Sequence, residues 1–149
     1  MKQLVIGTMA MVLVLVLTNS ANTALAKDIT IRVSQIDSSR GGNVMVMIFA
    51  EEGYPKNHDK TLMTQTRRAD RLMLYFTFPI DRGEFAIKAL HDEDETGTVS
   101  KNWTGMIPSE GLGFSNNARI SWKGPPTYRD SRISLKSLKG PVQINIIYP

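Results

Sequence analysis

Several short stretches of the chain alternate apolar and polar residues. Residues 28–36, DITIRVSQI, place Ile29, Ile31 and Val33 among polar neighbours, which is the pattern of a β-strand with one buried face. Residues 44–50, VMVMIFA, are apolar throughout and predict a strand covered on both faces. The turn residues SSRGGN separate the two stretches, so we predict that these strands form a hairpin.

The rest of the chain after residue 26 continues in the same way. Strands are predicted at residues 71–78, 84–91, 118–122, 131–135 and 142–148. Residues 51–68 are polar and contain glycine, proline and asparagine, which predicts a loop or one short helical turn. No apolar period of 3.6 residues is sustained. About seven short strands with Gly and Pro turns predict an all-β protein, a single antiparallel β-sandwich.

The N-terminal 26 residues have the pattern of an export signal. Lys2 precedes a 14-residue apolar run, Leu4 to Leu17, and small residues follow up to Ala24-Leu25-Ala26. This order is typical of a secretory signal peptide with an A-x-A cleavage site, so we predict a signal peptide at 1–26 and a mature domain at 27–149. An uncleaved anchor is the alternative, but the run is shorter than the ~20 apolar residues that span a bilayer.

Composition narrows the compartment and the class of partner. The chain has no cysteine, which excludes disulfides and thiolate ligands and suits a Gram-negative periplasm or the culture fluid better than a eukaryotic secretory pathway. Removing Lys2 from the 18 basic residues leaves 17 against 14 acidic ones, a net charge of +3. Nucleic acid is therefore not an expected partner. We predict an unidentified protein, polysaccharide or cell-envelope partner, and no stable membrane span after signal cleavage.

The most informative stretch is HDEDETGTVS, residues 91–100. In a calcium loop, oxygen ligands on alternate residues converge on one point, a glycine permits the turn, and the next residue donates a carbonyl. The residues at these places predict a metal site whose ligands are Asp92, Asp94, Thr96, Thr98 and Ser100, with Ca²⁺ as the ion.

The closing ligand of such a loop is missing. The twelfth residue counted from Asp92 is Trp103, where a glutamate would bind the ion through both oxygens, and Glu110 is the nearest carboxylate that could replace it. Fewer charged ligands mean weaker binding, so any site should belong to the sub-millimolar to millimolar class. The alternative is a solvated acidic turn.

A glycine-rich segment, GMIPSEGLGFSNNA, follows the acidic stretch. Residues 92–117 form 26 residues without a sustained period, and an ordered loop of that length usually has a use. Glycines permit close backbone approach, so we predict a displayed ligand-binding loop. Its residues are His91, Glu110, Gly111, Gly113, Phe114, Ser115, Asn116 and Asn117. The alternative is a connection that only crosses one end of the sandwich.

The two motifs together resemble those of the bacterial domain of unknown function family 2141. The resemblance rests on HDEDETG and on EGLGFSNN, and it extends through FAIKALHDED and PPTYRDSRISL to INIIYP. It implies a β-sandwich of immunoglobulin-like or transthyretin-like type and brings no established activity. The chain departs from the family at Asp94 and Thr96, where Asn is frequent, and at Ser100, where Asp is frequent.

Three functions remain open at this stage. The first is a non-enzymatic exported sandwich that displays the 92–117 loop and binds calcium weakly. The second is a periplasmic hydrolase in which His91 is the base and Asp92, Glu110 or Ser115 its partner, although no recognised catalytic motif is present. The third is copper handling by Met45, Met47, Met63 or Met73 together with a histidine, since thioethers suit Cu(I). Core packing is the ordinary explanation for Met45 and Met47.

Overall fold

The computed structural model describes residues 25–149. The predicted signal peptide falls almost entirely outside these residues. The described chain holds eight strands, one short α-helix and four 3₁₀ helices of three residues each. The strands are β1 (Lys27–Ser34), β2 (Asn43–Phe49), β3 (Thr61–Arg68), β4 (Met73–Ile80), β5 (Glu84–Asp92), β6 (Gly111–Phe114), β7 (Ile133–Ser134) and β8 (Val142–Asn145), and the helix is α1 (Tyr128–Ser131). Within residues 25–149, no helix is long and apolar enough to cross a membrane.

The strands form two sheets packed as a sandwich. One sheet has the order β4-β1-β8 and the other β3-β2-β5-β6, with β7 paired to β5. The predicted all-β sandwich is confirmed, with eight strands where about seven were expected. All strand pairs are antiparallel except β1 with β8, where Ile31 lies opposite Val142 and Val33 opposite Ile144 in parallel register.

The predicted hairpin of the first two strands is wrong. β1 pairs with β4 and β8, whereas β2 pairs with β3 and β5 in the opposite sheet. The residues between them, which include Gly41 and Gly42 at positive φ, carry the chain across the end of the sandwich. Turn residues mark where a strand ends but do not choose its partner.

Two other strand predictions need correction. Residues 61–68, expected to be part of a loop, form the edge strand β3, whose polar and threonine-rich sequence suits a strand open to water. Residues 118–122 were expected to be a strand, but the only pairing there is the bridge of Ser121 with Gly124. A short run with one large apolar residue on each side of a serine is too weak a signal to separate strand from turn.

The main core lies between the sheets. Strand β4 alternates exposed and buried residues, and Phe76 and Phe78 face Ile31 and Ile29 of β1 across the register. Each such side chain contributes about 1.5–3 kcal/mol when fully buried. The other face of the β3-β2-β5-β6 sheet carries a second, smaller core, formed by Met47, Phe49, Leu90, Leu112 and Phe114. Strand β5 is therefore covered on both faces, and the residues that follow it lie over the second core.

Candidate metal centre

Asp92 is the last residue of β5 and organises the turn that follows. Its Oδ1 accepts a hydrogen bond from the Thr96 amide at 3.0 Å, and its Oδ2 accepts one from the Gly97 amide at 2.8 Å. Gly97 permits this turn because it lies at φ +74°. Although its side chain is a carboxyl group, Asp92 is only 3% exposed. The turn therefore curls around its carboxylate.

Asp94 lies in the same turn, but open to solvent. Its Oδ1 accepts from the Thr96 amide at 3.2 Å, and its Oδ2 accepts from the Ser100 hydroxyl at 2.6 Å. These bonds, that of Ser100 first, lower the pKa of Asp94 below its usual range. Asp94 is thus ionised at neutral pH.

Glu110 comes from a distant part of the chain, directly before β6. Its Oε1 accepts from the Glu93 amide at 2.9 Å, and its Oε2 accepts from the Ser100 amide at 2.8 Å. The residue is 3% exposed. Burial, and then the charges of Asp94 and Asp92, raise the pKa of Glu110 above its usual range. Glu110 therefore joins both ends of the acidic loop.

The three carboxylates converge. One oxygen from each of Asp92, Asp94 and Glu110 lies within 4.8 Å of the others. Calcium binds oxygen at about 2.4 Å, so two ligands of one ion stand up to about 4.8 Å apart. The spacing of the three carboxylates is therefore the spacing that one Ca²⁺ ion requires. Glu110 lies where it can act as the closing ligand that Trp103, the twelfth residue of the loop, does not supply. This is the candidate metal centre.

The other predicted ligands act within the loop. The Thr96 hydroxyl donates to the Thr98 carbonyl oxygen at 3.2 Å, and the Thr98 amide lies 3.4 Å from that hydroxyl. Ser100 donates both its amide and its hydroxyl, to Glu110 and Asp94 respectively. In this geometry Thr96, Thr98 and Ser100 hold the loop and its carboxylates in place.

His91 lies on the opposite face of β5 from Asp92 and is completely buried. Its Nε2 lies 2.7 Å from the Gly41 carbonyl oxygen, and its Nδ1 lies 2.6 Å from the Tyr148 hydroxyl. Because a carbonyl oxygen only accepts, Nε2 carries the proton and Nδ1 accepts from Tyr148. Tyr148 in turn accepts from the Asp37 amide at 2.8 Å. His91 is thus a structural tie between three segments, and no partner named for a hydrolase contacts its ring.

The prediction of one displayed loop at 92–117 is wrong in its last part. Gly111, Gly113 and Phe114 belong to the buried strand β6, and Ser115 is buried next to it. A Cβ atom on Gly111 would lie 2.5 Å from Ile146, and one on Gly113 would lie 2.7 Å from the Asn145 carbonyl oxygen. These glycines serve close packing against the C-terminal segment and not display.

The polar residues after β6 also have structural roles. Ser115 donates to the Ser131 carbonyl oxygen and accepts from the Ile87 amide at 2.9 Å. Asn116 and Asn117 lie at positive φ, and the Asn116 side chain donates to the Arg132 carbonyl oxygen at 2.6 Å. The Ser115 hydroxyl accepts from the amide of Ile87, which lies four residues before His91 on β5. Four residues of strand span about 13 Å. The two residues do not form a nucleophile and base pair.

Sequence comparison adds the family. The family described as uncharacterized proteins conserved in bacteria (DUF2141) matches residues 31–143. The chain belongs to this family. Searches of the curated proteins and of the solved structures return no match. The DUF2141 match runs from within β1 to within β8 and so includes the whole candidate metal centre.

In this DUF2141 protein, a buried cation lies close to the acidic loop. Lys88 is 3% exposed, and its Nζ donates to the Pro55 carbonyl oxygen at 2.9 Å and lies 2.8 Å from Nε2 of His58. Nδ1 of His58 lies 3.0 Å from the Gly97 carbonyl oxygen. Since that oxygen only accepts, Nδ1 donates and Nε2 accepts from Lys88. A chain of hydrogen bonds thus runs from Lys88 to the metal loop.

Sequence reasoning missed this pair. A lysine in the middle of an apolar strand is a usable signal, because burial of an ammonium needs a specific acceptor. Burial lowers the pKa of Lys88 from 10.5 to about 8, although Glu110 opposes the shift. Burial, and next the charge of Lys88, lower the pKa of His58. His58 is therefore a neutral acceptor for Lys88.

Lys88 makes stability depend on alkaline pH. The folded protein binds the proton of the Lys88 ammonium more weakly than the unfolded chain does. The loss of stability caused by burying this charge is therefore fully present below about pH 8 and disappears as pH rises towards 10.5. We expect the free energy of unfolding to gain up to about 3 kcal/mol over this window from Lys88 alone. Urea denaturation of the parent and of Lys88→Met measures the difference in slope.

The matched control for Lys88 is an exposed lysine. Lys139→Met removes a solvated charge and is expected to keep the slope of the parent. Tyrosines titrate in all three proteins, so their effect cancels in the comparison. Parallel pH profiles for the parent and Lys88→Met would contradict the assignment.

Three of the four methionines proposed for copper lie in apolar surroundings, whereas Met73 is 37% exposed at the start of β4. Met47 is fully buried in the second core, and Met45 packs against that core. Met63 packs against the main core. The places of these three are those of core filler.

Proposed function

We propose that this DUF2141 protein is an exported, non-enzymatic binding protein that holds a calcium ion at Asp92, Asp94 and Glu110. The observation that carries the proposal is the convergence of these three carboxylates, one of which lies sixteen residues beyond the second in sequence. The D-x-D-x-T-G spacing of the loop supports it independently, because calcium loops use alternate oxygen ligands followed by a glycine.

Electrostatics also favours a cation at this place. Asp92 and Glu110 are almost completely buried, and a third carboxylate faces them within 4.8 Å. Like charges held together in a poorly solvated place repel one another. A divalent cation between them removes this repulsion and favours the ionised form of Glu110. We therefore propose that calcium binding stabilises the folded protein by linkage.

Calcium would act on the hairpin that the loop supports. The Ser109 amide donates to the Ser100 carbonyl oxygen at 2.9 Å, and Lys101 pairs with Pro108, so residues 100–109 form a hairpin above the site. Glu110 and the Ser100 amide close its base. An ion at the site would fix this base and present the hairpin to a protein, polysaccharide or cell-envelope partner.

Calorimetric titration of Lys27–Pro149, which contains all eight strands, tests the metal site. We expect saturable calcium binding with a dissociation constant of about 10⁻⁴–10⁻³ M, because only three carboxylates contribute. Glu110→Gln keeps one acceptor oxygen but removes the charge, and Asp92→Asn/Asp94→Asn removes two charges. We expect at least about tenfold weaker binding in the first variant and no measurable binding in the second.

The matched control removes two carboxylates elsewhere. Asp70→Asn/Asp81→Asn changes exposed residues outside the loop and should bind calcium as the parent does. Thermal unfolding with calcium or a chelator gives a second readout. Absence of heat and of a thermal shift in the parent at millimolar calcium would refute the metal site, and equal loss in the control would show a non-specific charge effect.

A further inference from the structure

Two tight turns near the candidate metal centre carry large apolar side chains that are almost fully exposed. In the first, the Asn102 amide bonds to the Ile107 carbonyl oxygen at 2.8 Å, which places Trp103 and Met106 at the tip. In the second, Ser121 and Gly124 exchange two backbone bonds of 2.9 Å around Trp122. Trp103 is 97% exposed and Trp122 is 91% exposed. Both rings are free to contact a partner.

An apolar groove joins the two turns. Its volume is about 310 Å³, and its lining includes Ile107 from the first turn and Ile120 from the start of the second. Leu112 and Phe114 form its floor, and Ile147 lies at its side. The two turns and this groove form one continuous surface, called here the tryptophan surface.

The formal charge at the two turns has one sign, whereas the buried Glu110 lines the groove between them. Residues 96–109 and 111–129 contain Lys101, Arg119, Lys123 and Arg129 and no acidic residue. The Lys123 ammonium lies over the Trp122 ring, 5.2 Å from its centroid. The acidic residues lie at the base of the first turn, where Glu110 binds the Ser100 amide, and not at its tip. The tips thus combine apolar rings with cations.

We propose that the tryptophan surface docks on an anionic phospholipid bilayer. Tryptophan favours the interface between headgroups and acyl chains, because its ring is apolar and its N–H can still donate. Lysine and arginine beside it are attracted to anionic headgroups. Separate protruding tips suit insertion into a bilayer, which needs no complementary shape.

Tryptophan fluorescence reads out this surface directly. The chain contains two tryptophans, and both lie at the tips. We expect a blue shift, and quenching by brominated acyl chains, when Lys27–Pro149 meets vesicles of phosphatidylglycerol and phosphatidylcholine. Residues 1–26 are omitted because an apolar leader would itself insert. The titration is made in EDTA, so that its outcome does not depend on the calcium site.

Co-sedimentation with the same vesicles measures the contribution of each part. Each cation near an anionic surface strengthens binding about fivefold, so Lys101→Gln/Arg119→Gln/Lys123→Gln should bind about 100-fold more weakly. Trp103→Ala/Trp122→Ala should bind at least about tenfold more weakly. The matched control, Leu72→Ala/Tyr75→Ala, removes exposed apolar side chains elsewhere and should bind as the parent does. All the changed residues are exposed, and circular dichroism checks their folds.

Several outcomes would overturn the proposal. Unchanged fluorescence with anionic vesicles would refute docking, and equal binding to pure phosphatidylcholine would refute the role of charge. A blue shift that grows with protein concentration alone would assign the surface to a second copy of the chain. A blue shift with soluble dextran sulfate, but not with vesicles, would assign it to an anionic polysaccharide.

Discussion

A Gly42→Ala substitution is expected to lower the free energy of unfolding by about 2–5 kcal/mol. Gly42 lies at φ +66°, where a residue with a Cβ atom costs about 1–2 kcal/mol. A Cβ atom there would also overlap the Asp92 carbonyl oxygen and the Glu93 backbone. Overpacking against atoms that cannot move away costs about 1–3 kcal/mol more. Urea denaturation measures the loss.

The same substitution should disturb the candidate metal centre. Asp92 ends β5 and Glu93 begins the acidic loop, so relief of the overlap moves the backbone that carries the first carboxylate. We therefore expect weaker calcium binding in any Gly42→Ala protein that folds. This links the turn after β1 to the loop after β5.

Gly41→Ala is the matched control for Gly42. Gly41 also lies at positive φ, +71°, but a Cβ atom there would have no neighbour within 4 Å. Only the backbone cost applies, at φ +71° and ψ −150°, where few residues other than glycine are found, so we expect a loss of about 1–3 kcal/mol and unchanged calcium binding. Equal losses at the two positions would show that backbone conformation, and not contact with the acidic loop, makes Gly42 necessary.

The fold was predictable where the local pattern was strong. Residues 71–78 and 44–50 are rich in apolar and aromatic residues, and strands β4 and β2 lie close to these predicted ranges. Strand β3 was missed because an edge strand buries little apolar side-chain surface, so its sequence is polar and resembles that of a loop. Strand pairing was missed because it is decided by contacts between distant segments, such as β1 with β8, which a local pattern does not contain.

The candidate metal centre was also predictable only in part from the sequence. Asp92 and Asp94 were identified from a spacing that lies within one turn, whereas the place of Glu110 depends on how β6 returns beside β5. The EGLGF segment was misinterpreted because glycine permits both flexibility and close packing, and sequence alone does not separate the two. Gly113 lies against the Asn145 backbone, so in this segment glycine serves close packing.

Replacing His91 with alanine is expected to destabilise the protein by about 3–5 kcal/mol. The change leaves a cavity in a completely buried place. It also leaves the Gly41 carbonyl oxygen without the donor it now has, and the Tyr148 hydroxyl without its acceptor. Because Tyr148 also accepts from the Asp37 amide, the loss loosens the C-terminal segment. Thermal and urea unfolding measure the effect.

Two further variants separate this structural role of His91 from a catalytic one. Tyr148→Phe keeps the ring but leaves the Asp37 amide and Nδ1 of His91 without a partner, and should cost about 1–3 kcal/mol. The two losses should not add, since both variants break the same bond. His58→Ala, at a half-buried histidine, is the control and should cost less than His91→Ala. If the parent hydrolysed a substrate and a stably folded His91→Ala protein did not, catalysis by His91 would be supported instead. Loss of a purely structural histidine would not abolish activity in a protein that stays folded.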